Sequence, residues 1–97
     1  MKVYRHGDVI FREVSELPEG GVTELGTKLE RSGETGQLHV LDNVEVYEVD
    51  WDSDWRTFVK TMEAGGTVTH PEHPEMKLPP NTLFRVERVR SITPYID

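Results

Sequence analysis

Hydrophobic positions along this chain come in short bursts, mostly β-branched or aromatic, and turn-forming clusters cut off each burst. Val9-Ile10-Phe11-Arg12-Glu13-Val14 has the composition of a strand. Ser15-Glu16-Leu17-Pro18-Glu19-Gly20-Gly21 ends it, because proline withholds a backbone donor and paired glycines accept positive φ. In Val22 to Glu30, the residues Val22, Leu25 and Leu29 fit a helical stripe as well as a strand. Gly26 and the threonines weaken the helix, so a strand is expected. Arg31 to Gly36 reads as a loop.

Gln37-Leu38-His39-Val40-Leu41 and Val44-Glu45-Val46-Tyr47-Glu48-Val49 flank Asp42-Asn43, two residues that tolerate the left-handed region. That spacing predicts a hairpin with a two-residue turn. Asp50 to Trp55 reads as an acidic loop bracketed by tryptophans. Arg56 to Met62 resumes a strand, Glu63-Ala64-Gly65-Gly66 ends it, and Thr67 to His70 forms another. His70-Pro71-Glu72-His73-Pro74-Glu75 is expected to be irregular, since each proline pushes the histidine before it out of the α region. Thr82 to Ile92 is the last strand. Phe84 and Val86 keep period two but Val89 breaks it, which predicts a β-bulge near Glu87–Arg88. A helix through Leu83, Val86 and Val89 is the competing reading. About seven short antiparallel strands with regular turns predict an all-β fold, a small single-domain barrel or sandwich.

Composition narrows the classes of function. The 97 residues, 30 % charged and 35 % hydrophobic, suit one polar globular domain spanning 1–97 rather than a disordered chain. A net charge of −7 disfavours gripping nucleic acid or anionic lipid through the whole surface. With no cysteine there is no disulfide, thiolate zinc site or cysteine nucleophile. The N-terminus lacks the apolar core of a signal peptide, and no run approaches the roughly 18 apolar residues of a membrane span. A cytoplasmic, acidic protein is expected.

The candidate chemistry lies in the histidines. His6, His39, His70 and His73 all fall at or beside expected turns or strand ends. His70 and His73 share a proline-stiffened loop, and Gln37 shares a strand face with His39. A metal site from His39, His70 and His73, with Glu45 or Gln37 as a fourth ligand, is chemically sensible for zinc, nickel or iron. The competing reading is that His70 and His73 are solvated and His39 is a satisfied strand residue. Gly33 followed by His39 and Glu45 resembles the first motif of cupin barrels, which implies a metal enzyme. The motif's second histidine is Leu41 here, and its closing glycine is missing.

Other features compete less well. Asp50, Asp52 and Asp54 alternate like calcium ligands, but the later glycine and glutamate are absent, and an acidic solvated turn is preferred. Trp51 and Trp55 suit either stacking on a ring or capping a core, and core is preferred for at least one. Arg85, Arg88 and Arg90, with Arg5 and Arg12, are candidates for a small anionic ligand, against the simpler reading of salt bridges. Ser15, Ser32, Ser53 and Ser91 lack a nucleophile motif, and Gly20-Gly21 and Gly65-Gly66 are not phosphate loops.

Tyr4-Arg5-His6-Gly7-Asp8-Val9, Gly33-Glu34-Thr35-Gly36-Gln37-Leu38-His39, Thr69-His70-Pro71-Glu72-His73 and Leu78 through Arg88 occur in that order. Together they resemble small β-rich proteins of phage, prophage and actinobacterial genomes. The resemblance spans nearly the whole chain and brings no activity with it. It does imply that the histidines form a site. The middle segment is one residue shorter than in those proteins, and Gln37 stands where they carry the first histidine of a pair. Two functions remain open. One is a histidine-lined pocket for a divalent metal or small polar ligand, with Glu72 or Glu45 as proton acceptor if it is catalytic. The other is a non-enzymatic module that binds a protein or nucleotide, as a homo-oligomer covering its own sheet edges.

Overall fold

The computed structural model describes residues 2–19, 21–32, 38–51 and 54–88. Strands that are individually too short to be stable must bond to neighbours, and here every pairing is antiparallel. The elements are β1 (Val3–His6), β2 (Val9–Val14), β3 (Gly21–Ser32), β4 (Leu38–Trp51), β5 (Asp54–Thr61), β6 (Gly66–His70), β7 (His73–Leu78) and β8 (Leu83–Arg88). They form one sheet in the order β1-β2-β8-β5-β4-β6-β7, with β3 paired to β4 off that path. The path curls until its two ends, β1 and β7, come into contact. The expected all-β fold is therefore a nearly closed barrel.

The interior is filled by the period-two faces of the strands. Val9 and Phe11 of β2, Phe84 of β8, Val59 of β5, Val68 of β6 and Leu78 of β7 meet Leu41, Val44 and Val46 of β4. Tyr4 lies edge-on to Phe84, ring centroids 5.7 Å apart. Burying a phenylalanine such as Phe11 or Phe84 contributes about 2–3 kcal/mol. At one end of the barrel the buried Thr61 hydroxyl donates to the Pro79 carbonyl at 2.7 Å and accepts the Thr82 N–H at 2.9 Å, pinning β5 to the loop before β8.

Four local expectations are corrected. Asp42-Asn43 does not reverse the chain: β4 runs straight through from Leu38 to Trp51. Asn43 does adopt positive φ, at 63°, but the result is a bend inside one strand. Before the bend, His39 and Leu41 are buried; after it, Val44 and Val46 are, so the inward-facing parity switches from odd to even. The bend also lets β4 change partner, from β6 at Val40–Asp42 to β5 at Val44–Trp51.

Both ends of the Asp50 to Trp55 segment are strand rather than loop, because Asp50 pairs with Trp55 and Trp51 with Asp54 across β4 and β5. Asp50 and Asp54 therefore lie on two paired strands, not on a calcium-binding loop. His70 to Glu75 is not irregular either. His70 closes β6, His73 opens β7, and the two are Cα partners in a tight hairpin. Pro74 is tolerated because β7 is a terminal strand of the path, where one edge needs no ladder donor. Finally, β8 keeps an unbroken register with β2 from Leu83 to Arg88, so there is neither a bulge at Glu87–Arg88 nor a helix. The expectations for Gln37, Asp52, Arg90, Ser53, Ser91 and the indoles of Trp51 and Trp55 lie outside the described residues.

Asn43 gives a test of the bend. Asn43→Val should lower unfolding free energy in urea by about 1–2 kcal/mol, since a β-branched residue resists the left-handed region. Asn43→Gly should cost little or nothing.

Candidate functional site

Each histidine is placed by hairpin chemistry. His6 ends β1 opposite Val9, and Gly7-Asp8 is the two-residue loop between them. Gly7 takes φ +62°, as hairpin loops with glycine at the first central position require, and its carbonyl accepts Arg5 Nε–H at 2.7 Å. His39 shares the inward face of β4 with Leu41, and His70 shares that of β6 with Val68. The β4–β6 register sets Val40 opposite Thr69, so one further step sets His39 against His70.

The four imidazoles consequently gather at one end of the barrel. Ring centroids of His39 and His70 are 4.3 Å apart and those of His70 and His73 4.6 Å. His6 reaches across from β1 to lie 5.1 Å from His39, 5.6 Å from His73 and 6.3 Å from His70. His39 and His73 are nearly parallel at 5.9 Å. His6, His39 and His70 are 4 %, 3 % and 9 % exposed, whereas His73 sits at the exposed rim.

Hydrogen bonds fix how the rings face. His6 Nδ1 and His39 Nδ1 are 2.9 Å apart. His39 Nε2 lies 3.2 Å from Asp8 Oδ1, and His6 Nε2 lies 2.8 Å from the Pro74 carbonyl oxygen. His70 Nδ1 accepts the Glu72 N–H at 3.0 Å. Burial, then the neighbouring His70 and His6, hold the His39 pKa below the ordinary 6.5, while Asp8 pulls it upward. The nitrogens are thus turned towards one another and towards oxygen acceptors. Among the described residues, no three His, Asp or Glu side chains stand ready-arranged around a metal ion.

Gly7 forms the floor of this cluster. A Cβ there would fall 2.8 Å from His39 Cε1 and 2.9 Å from His73 Nε2. No side chain fits without moving those rings, and the positive φ already disfavours one.

Of the residues expected from sequence, the fold brings His39, His70 and His73 together. Arg88 reaches the edge of the cluster, its Nε 3.4 Å from Asp8 Oδ2. Arg85 does not: it binds Glu87, which also takes Arg12 Nε at 3.2 Å. Burial works to raise the Glu87 pKa, but the bonds from Arg12 and Arg85 outweigh it and keep the carboxyl below its usual range. Glu72 touches the site through its backbone N–H and exposes its side chain. Glu45 lies past the Asn43 bend beside Tyr47. Burial, together with that carboxylate, raises the Tyr47 pKa.

Sequence reasoning left out His6 and Asp8 as members of the site. The signal was present: Gly7-Asp8 between two apolar segments is a hairpin loop, and it puts His6 at a strand end.

A family model for a domain of unknown function, DUF8820, matches residues 5–88. The chain belongs to the DUF8820 family. No curated protein and no solved structure matches it. The DUF8820 match takes in all four histidines and Asp8, and it ends with β8.

Two outcomes follow for this DUF8820 barrel. Gly7→Ala should destabilise it by about 1–2 kcal/mol in urea unfolding and shift the His39 and His73 ring proton resonances. Because the folded chain holds His39 below 6.5, the unfolded state binds more protons in the window just beneath that value. His39's contribution to stability is therefore complete above 6.5 and declines as pH falls, by no more than about 1.4 kcal/mol per pH unit. Urea unfolding at stepped pH should show that decline, and it should be shallower in His39→Gln.

Proposed function

We propose that this protein is a small β-barrel that binds a divalent transition-metal ion (zinc, nickel or iron) at its histidine end. The spacing of the four rings carries the reading. A metal–nitrogen bond of about 2.0–2.1 Å puts each ring centroid about 3.2 Å from the ion, and tetrahedral ligands then have centroids about 5.3 Å apart. The six separations here run from 4.3 to 6.3 Å, on both sides of that value. The ligand type agrees, since imidazole suits zinc, nickel and iron.

Electrostatics support the same reading. A chain of net charge −7 concentrates cations around it, and Asp8 puts a carboxylate beside His39. Four imidazoles packed against one another bring their ring nitrogens to one place, and a cation would use several of them as ligands. Small rotations of the rings would turn nitrogens from each other to a shared ion. Such an ion would supply Lewis-acid activation of water or of a bound polar ligand.

Protein made without a polyhistidine tag, stripped with chelator and dialysed against each metal in turn, should retain about one equivalent of at least one of them. That metal should raise the melting temperature, by about 2.7 kcal/mol of stabilisation at a hundredfold excess over Kd. The double variant His6→Ala, His39→Ala should lose both effects while keeping the β-sheet circular dichroism spectrum. Wild-type protein that retains no metal and gains no stability from any of them would overturn the reading.

A further inference from the structure

We infer that two copies of this chain join through the outer edge of β3, antiparallel about a two-fold axis at Gly26. This is independent of the metal-binding reading above, since β3 carries none of the four histidines.

Among the described residues β3 pairs only with β4, whose other edge is shared between β6 and β5. Its 12 residues make it about twice the usual strand length of roughly 5–6. Along the outer edge, alternate residues turn an N–H and a C=O away from β4. Residues 22–28 are all exposed, with Val22 at 47 % and Leu25 at 53 %. An edge of this kind is a template for one more strand.

The side chains along it fit a second copy of themselves. In a two-fold pairing at Gly26, Glu24 stands opposite the partner's Lys28, and Lys28 stands opposite the partner's Glu24. Both belong to the outward face. Glu24 pairs with Tyr47 and Lys28 with Asp42, each next to an inward residue of β4, Val46 and Leu41. Opposite charges set across two strands favour the pairing, and symmetry makes this contact twice. Leu25 falls opposite the partner's Thr27, which covers part of its exposed surface. The whole chain carries −7, but Gly21–Ser32 holds two acidic and two basic residues. Copies meeting here feel less repulsion than copies meeting elsewhere.

Gly26 sets the register. The β3–β4 ladder shifts on both sides of it, and its φ of +133° favours glycine. A Cβ there would meet nothing within 4 Å, so no packing inside the chain calls for the bare backbone. A kinked edge turns away a straight foreign strand. A strand kinked at the matching place can follow it, and the axis at Gly26 supplies one.

Sedimentation velocity of the full chain, 11.2 kDa per copy, tests this. Two strands bury a small area, so the wild type should dimerise at concentrations on the order of 0.1–1 mM. Glu24→Lys alone sets lysine against lysine, and Lys28→Glu alone sets glutamate against glutamate. Each should weaken dimerisation about tenfold or more. The double variant Glu24→Lys, Lys28→Glu should regain wild-type association, and an equimolar mixture of the two single variants should form mixed dimers. Both positions are exposed, and an unchanged circular dichroism spectrum checks that each variant folds. A wild type that stays monomeric across that range overturns the inference and leaves the edge to an extended segment of another protein. A dimer that neither single substitution weakens, or that neither the swap nor the mixture restores, overturns it as well.

Discussion

A sheet that curls into a barrel has to do something with its first and last strands, and here one imidazole does it. His6 Nε2 on β1 bonds the Pro74 carbonyl on β7 across 2.8 Å, where a fully closed barrel would have a ladder. Proline brings no N–H to that edge, so its carbonyl is the only backbone group at that position to be satisfied. The same ring touches His39, which is anchored on Asp8 in the β1–β2 turn. Barrel closure and the orientation of the histidine cluster therefore share one set of bonds.

Much of the architecture could be read locally. β2, β6 and β8 alternate with period two between glycines and prolines, β5 is marked by its aromatic and β-branched residues, and β3 shows itself because Gly26 and the threonines argue against a helix. β4 departs from the expected hairpin for a physical reason. Asp42-Asn43 announces a left-handed residue, which is correct, but whether that residue reverses the chain or bends it depends on which strands lie alongside. Those partners, β5 and β6, come from later in the sequence. The prolines of the 70–75 segment misled in the same way, since a terminal strand has a free edge that no local pattern reveals.

The candidate site was legible to a similar extent. Residue type and turn proximity singled out His39, His70 and His73, because a histidine at a strand end is held by backbone geometry. His6 and Asp8 are less legible, because only the Gly7-Asp8 pair marks the short hairpin that carries them. In the sequence Arg85 and Arg88 stood between an anionic ligand and salt bridges; the period of β8 itself gives Arg85 to Glu87, two residues on, and the β1–β2 turn gives Arg88 to Asp8. Part of the acidity that sets the net charge is thus committed to fixed anchors. Glu87 binds the outer side of β2 and β8, and Asp8 backs the imidazoles.

The parity switch at Asn43 has an evolutionary consequence. On one side of it the inward positions of β4 present His39 and Leu41, and on the other they present Val44 and Val46. Losing or gaining one codon between them would turn either the imidazole or the valines out to solvent. Chemistry and hydrophobic interior are thereby phased against each other along a single strand, and drift in length is closed to this stretch of the gene even where drift in residue type is open.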